Sequence, residues 1–320
     1  LYQILPELQP RIVEVEEVSK LLPNNAILVE YQISPSPDSN EFEYIALTLN
    51  SENEINTFTL GSAKLIERDI KRALAATKNN YANQQKLWDE VSKLLITPLE
   101  TQLKEKEQIF ISPDGKLNRV PFSALKFPET NQFLGEVKKL RLLTTGRDLL
   151  ELSNNSIINK RQSLVIANPS FNLKKTLDPI TSSENIIASQ QRSGDLLFRK
   201  WEPLEGTEKE GQVIAQITDA KLLTGAHATA LEIQKTESPH VFHIASHAYY
   251  LSPDIDNNEN PLLRSGIVLA GANNPKGNEI DDGYLTALEV TKLDLKGTEM
   301  VVVSGCESGK GDIQSGEGVY

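Results

Sequence analysis

Cysteine is almost absent: Cys306 is the sole thiol in 320 residues. A single cysteine excludes an internal disulfide and suits a reducing compartment, so the expectation is a cytoplasmic protein. Long apolar runs are missing too. No stretch approaches the roughly 20 apolar residues that a membrane-spanning helix needs, and no membrane partner is expected. Positive charge is in deficit, with 33 Lys and Arg against 44 Asp and Glu, a formal balance of −11. An acidic surface repels a phosphate backbone, so nucleic acid is not expected as a direct partner. The rest of the composition is ordinary for a globular protein, 39% hydrophobic and 24% charged, and the length accommodates two domains with separate cores. The chain starts at Leu1, shows no signal peptide, and stops at Gly318-Val319-Tyr320 just after a Gly-rich turn. A fragment at both ends is expected.

Hydrophobic periodicity then gives a coarse map. Ala26 to Ile33 reads as a strand, and Tyr44 to Leu49 with Ile55 to Leu60 as an antiparallel pair around the turn at Ser51-Glu52-Asn53. Helical spacing follows over Ala63 to Lys78, with Leu65, Ile66, Ile70, Ala73 and Leu74 on one face. A second helix is expected over Tyr81 to Leu103, kinked or restarted at Pro98. Gln108 to Ser112 is the next strand. Leu117 to Leu125 reads as buried and extended, and Thr144 to Leu152 as a short helix. The polar stretch Ser153 to Gln162 is the expected domain boundary, dividing the chain into 1–157 and 158–320. Beyond it, buried strands at Ser163 to Ala167, Ala220 to Leu223, Val241 to Ala245 and Gly266 to Ala270 alternate with helical stretches. That alternation favours a largely parallel α/β sheet.

Two strand ends carry the chemistry. Val301-Val302-Val303 reads as a fully buried strand, and it delivers Ser304-Gly305-Cys306-Glu307-Ser308-Gly309 at its carboxyl end. Val241-Phe242-His243-Ile244-Ala245 likewise delivers Ser246-His247-Ala248. Open α/β sheets gather their chemistry at the carboxyl ends of parallel strands. A thiol and an imidazole released there form a nucleophile and its base without being neighbours in sequence. An isolated cysteine is more often an inert core residue, but small residues around Cys306 favour exposure at a turn. The backbone N–H groups of Cys306 and Ala248 are candidates for an oxyanion hole.

Other chemistries fit less well. His240, His243 and His247 are spaced as H-x-x-H-x-x-x-H. In a strand His240 and His243 face opposite ways, and His243 and His247 stand roughly 13 Å apart, too far for ligands that sit about 2 Å from a zinc ion. No metal is expected. Gly305 to Gly311 has three residues between glycines where a phosphate-binding loop has four, and Gly311 stands where such a loop has Ser or Thr. No G-x-S-x-G elbow is present.

The segments around His247 and Cys306 resemble the two signature segments of the CHAT domain family, caspase-like cysteine peptidases of the caspase–separase clan often found behind TPR repeats. Further matching segments are Ile111-Ser112-Pro113-Asp114-Gly115 with Val120-Pro121-Phe122-Ser123-Ala124-Leu125, Pro203-Leu204-Glu205-Gly206-Thr207-Glu208-Lys209-Glu210, and Asp281-Asp282-Gly283-Tyr284-Leu285-Thr286-Ala287. The likeness runs from about Leu21 to the end. It implies a caspase-like α/β fold, a mostly parallel sheet flanked by helices, with an N-terminal pseudo-caspase half supporting a peptidase half. It further implies that Cys306 attacks a peptide carbonyl with His247 as base, and that no cofactor is needed. Relatives place acidic residues in the pocket that receives the side chain before the scissile bond, which makes Asp282 and Asp312 candidates for selecting Arg or Lys. Ala248 stands where the family often has Gly. The family also continues with a helix and further strands past Gly-Glu-Gly-Val, so either a companion C-terminal fragment carries them after processing or the chain is cut short. The partners implied are a protein substrate and a regulator acting through TPR repeats. A catalytically silent scaffold for protein–protein interaction is the alternative.

Overall fold

The apolar run that begins at Ala26 belongs to strand β1 (Ala26–Pro35), and it is long because β1 has a core on each face. Ile27, Val29 and Tyr31 point to one side; Ala26 and Leu28 point to the other. The computed structural model describes residues 12–37, 40–127, 130, 132–154, 161–173, 199–251, 260–274, 281–305, 313–314 and 318–319. These fall into two compact units, the first closing at Asn154 and including the two short strands after residue 312, the second lying between.

In the first unit, β1 pairs antiparallel with β2 (Phe42–Leu49), which pairs antiparallel with β3 (Ile55–Ser62). On its other side β1 runs parallel to β4 (Gln108–Ser112), and β4 parallel to β5 (Lys139–Leu142), for an order of β3-β2-β1-β4-β5. Helix α2 (Ala63–Lys78) lays Ile66, Ile70 and Ala73 into the larger core, and α3 (Gln84–Leu95) adds Leu87, Trp88, Val91 and Leu95. The opposite face is covered by α1 (Val15–Ser19) and α6 (Asp148–Asn154), the latter contributing Leu149. Between them in the chain come α4 (Glu100–Leu103) and α5 (Leu134–Val137). Burial pushes the Tyr31 hydroxyl well above the usual phenol range, so it stays protonated and donates to the Leu95 carbonyl.

Two details differ from the sequence expectation and a third follows it. Leu65 is 51% exposed, because the buried stripe of α2 centres on Ile66, Ile70 and Ala73, a full 100° step away. The segment Leu117 to Leu125 is buried as expected but not extended. It folds into two 3₁₀ turns, Gly115–Arg119 and Phe122–Ala124, whose i to i+3 bonds bring Leu117, Val120, Phe122 and Leu125 inward. The break expected at Pro98 is present: α3 ends at Leu95, a 3₁₀ turn follows at Thr97–Leu99 where Pro98 cannot donate, and the helix restarts at Glu100.

The second unit is built on a parallel sheet in the order β12-β8-β6-β7, with β6 Leu164–Pro169, β7 Lys221–Gly225, β8 Val241–Ala245 and β12 Met300–Ser304. Helix α7 (Glu205–Thr218) packs so closely on one face that a side chain at Gly211 would meet Ala167 Cβ at 2.4 Å. The other face holds Leu164, Ile166, Phe242 and Ile244 against Ala230 and Ile233 of α8 (Ala230–Gln234). Beside it lies a small antiparallel sheet in the order β11-β10-β9, formed by β9 (Ala248–Tyr250), β10 (Ser265–Val268) and β11 (Tyr284–Thr286), and α9 (Ala287–Val290) follows β11. β12 corrects the reading of a fully buried strand. Among the described residues it has one sheet neighbour, β8, and Val301 and Val303 remain 48% and 38% exposed. The last two short strands, β13 (Ile313–Gln314) and β14 (Gly318–Val319), pair antiparallel. No helix among the described residues is long and apolar enough to cross a membrane.

Candidate functional site

β8 is apolar and wholly buried, and at its carboxyl end the chain turns through Ser246 and His247 into β9. The turn is pinned on both sides. Ser246 donates its amide to the Ser304 carbonyl at 3.2 Å and its hydroxyl to the Val268 carbonyl, and the Val268 amide donates to the His247 carbonyl at 2.8 Å. The histidine backbone is thus fixed by β10 and β12 together.

The imidazole is half-buried beside two aromatic rings. Phe171 lies 5.4 Å away and Trp201 5.1 Å, centroid to centroid, both tilted about 40°, within the range of favourable ring pairs. Both flanking residues are buried. His247 Nε2 stands 2.8 Å from the backbone carbonyl of Glu202. A carbonyl only accepts, so the neutral ring is assigned its proton on Nε2, which leaves Nδ1 with the lone pair. Trp201 is itself held, its Nε1 donating to the Tyr284 hydroxyl at 3.0 Å, and that hydroxyl donating to the Ala272 carbonyl at 3.3 Å.

The strand that leads to Cys306 arrives alongside. β12 runs parallel to β8 in a register that sets Val302 opposite His243 and Ser304 opposite Ala245, so both strands release the chain at the same edge. Gly305 lies against that turn: a side chain there would meet the Ser246 carbonyl at 2.6 Å, Ala248 Cβ at 3.4 Å and the Ala248 amide at 3.5 Å. The structure therefore brings His247, Ala248 and Gly305 together. Cys306 and Asp312 lie outside the described residues.

Asp282 is half-buried in the turn before β11, where one of its oxygens accepts the Tyr284 amide at 3.1 Å. Its neighbour Asp281 is buried and accepts the amides of Gly283 and Leu231. The turn depends on Gly283, which has φ +82 and whose missing side chain would overlap the Ala272 backbone at 2.2 Å. Gly283→Ala is expected to destabilise the protein by about 2 to 5 kcal/mol, combining left-handed strain with overpacking against backbone that cannot yield. A urea denaturation midpoint measures it.

His243 and His240 each face a carboxylate away from the His247 turn. His243 is buried, and its Nε2 sits 3.0 Å from Glu210 on α7; His240 Nε2 is 3.3 Å from Glu299. Among the described residues no group of three or more metal-binding side chains converges.

Sequence reasoning missed the surroundings of His247: Phe171, Trp201, the Glu202 carbonyl and the Asn273 side chain that bonds to the Trp201 backbone. One signal was there to be read. Trp201 is one of only two tryptophans, and it follows a long polar stretch directly before the Pro203-Leu204-Glu205-Gly206 segment. The CHAT domain family model matches residues 85–320, well over half of the chain. Among curated proteins, none matches.

Proposed function

The chain belongs to the CHAT domain family, and we propose that it is a cysteine endopeptidase acting through Cys306 and His247. The observation that carries this reading is the meeting of two strand ends. Gly305, the residue before Cys306, packs against the two residues that flank His247, which supports a reading in which the chain continues to Cys306 from beside the histidine turn.

In this mechanism His247 Nδ1 takes the proton of the Cys306 thiol while Sγ bonds to the scissile carbonyl carbon. The amide donors of Ala248 and Cys306 receive the negative charge that develops on the carbonyl oxygen. The imidazolium returns its proton to the leaving amine as the C–N bond breaks, giving a thioester and the first product. Water, losing a proton to His247, then attacks the thioester; the C–S bond breaks, the thiol is restored and the acid product departs. No cofactor enters this sequence. Alanine at position 248 still presents its N–H, so the departure from glycine leaves the donor in place.

The proposed substrate is a protein cleaved after a basic residue, with Asp282 and Asp312 supplying the negative charge of the pocket. The expected partners include a regulator acting through TPR repeats and a companion C-terminal fragment, with residues 1–157 as a pseudo-caspase support. The cell compartment proposed is the cytoplasm.

An electrophilic peptide probe with Arg before the warhead tests the reading. Labelling of Cys306 is expected to exceed that of the urea-unfolded chain, and to fall when the probe carries Glu in place of Arg. Labelling no faster than in the unfolded chain would leave the silent scaffold as the better account. The sole cysteine makes the measurement free of background.

A further inference from the structure

We propose that Asn273 is a positioning residue for His247, holding both the backbone and the rings that orient the imidazole. This rests on the peptidase reading only for its consequence in turnover. The structural argument is independent of it.

Asn273 sits in the turn after β10, and its side-chain amide makes three hydrogen bonds, using both N–H donors and accepting once at the oxygen. Its Oδ1 accepts the Trp201 amide at 2.8 Å, and its Nδ2 donates to the Trp201 carbonyl at 2.9 Å and to Asn172 Oδ1 at 2.8 Å. Pairing with both the N–H and the C=O of one residue reproduces what a neighbouring strand does. It fixes the peptide units on either side of Trp201, one residue from the Glu202 carbonyl that holds His247 Nε2. The backbone of Asn273 reaches the second aromatic residue, since its amide donates to the Phe171 main-chain carbonyl at 2.9 Å. One residue thereby ties together the carbonyl that assigns the tautomer and the backbones of the two aromatic residues whose rings lie against the imidazole. No contact between Asn273 and the imidazole itself is needed. Its effect passes through Trp201 and Glu202.

The chemistry singles out asparagine. Aspartate has the same shape but cannot donate, so it would set a carboxylate oxygen against the Trp201 carbonyl and against Asn172 Oδ1. Alanine removes all three side-chain bonds and leaves the backbone amide of position 273 on the Phe171 carbonyl. In either case the Trp201–Glu202 segment is freed, and the imidazole loses the acceptor that selects Nε2–H.

The experiment uses the full chain, as wild type, Asn273→Asp and Asn273→Ala, with ¹⁵N-labelled histidine. Long-range imidazole correlation spectra report the tautomer of His247, whose signals are identified by their loss in His247→Gln among the four histidines. Wild type is expected to show one neutral tautomer, Nε2–H. Both variants are expected to show a mixture, a kcat lowered roughly 10- to 100-fold with KM changed less than about 2-fold, and a shifted pH–kcat profile. An unchanged tautomer in Asn273→Asp overturns the proposal even if kcat falls, because Asn273 would then serve the loop alone. A wild-type ring protonated on Nδ1 overturns it as well, and so does loss of circular dichroism signal in both variants. A tautomer shift in a protein that cleaves no substrate supports the positioning role and removes the peptidase reading instead.

Discussion

Cys306→Ala is expected to abolish cleavage of a protein substrate, and His247→Ala to slow it by at least about 10³-fold, the share that a positioned acid–base group contributes to such a reaction. The two losses differ in kind. Without Cys306 the chain has no thiol at all, so covalent catalysis ends and labelling with it. Without His247 the thiol remains, but it must ionise unaided and the leaving amine must find its proton in water. Combining the two substitutions is expected to cost little more than Cys306→Ala alone, since residues acting as one unit are not additive. Removing the imidazole also removes its ring contacts with Phe171 and Trp201; such ring pairs contribute about 0.5–1.5 kcal/mol each, so the fold is expected to survive. Initial rates on a confirmed substrate, with circular dichroism beside them, decide the matter. Full activity in either variant would mean that the dyad is misassigned.

Gly305→Ala is expected to lower kcat by roughly 10²-fold while leaving the melting temperature within a few degrees. The added carbon would lie 2.6 Å from the Ser246 carbonyl, and that carbonyl has little room to retreat. Ser246 is buried and bonded to Ser304 through its amide and to Val268 through its hydroxyl. The strain therefore falls on the chain leaving β12, which moves away from His247. A displacement near 1 Å at a reacting group costs about that factor. Stability is affected less, because β12 stands at the rim of its sheet with Met300, Val301 and Val303 already exposed. Steady-state kinetics and a thermal melt measure the two effects. Wild-type kcat in Gly305→Ala would show that the path out of β12 does not set the geometry of the reaction.

Much of the scaffold could be read from local pattern, and the reasons are physical. The run Val241 to Ala245 has no polar residue other than His243 and is buried throughout, as a strand covered on both faces must be. Helix α2 spans the stretch that its spacing marked out, Ala63 to Lys78. What failed was information that a short window does not contain. Three valines look alike in a central strand and in a rim strand, so the exposure of Val301 and Val303 depends on which strands pair with β12. The 3₁₀ turns through Leu117 to Leu125 keep the burial that the side chains demand while changing the backbone path. The surroundings of His247 were hidden for a different reason. Its hydrogen-bond partner is a main-chain carbonyl, which every residue carries, so nothing in the identity of Glu202 announces the role.

The pairing of His247 Nε2 with the Glu202 carbonyl also bears on proton traffic. A carbonyl remains an acceptor whether the ring is neutral or positive, so in the proposed reaction the Nε2–H bond would persist as Nδ1 gains and gives up its proton. The ring does not need to rotate, exchange partners or draw in solvent between the two states.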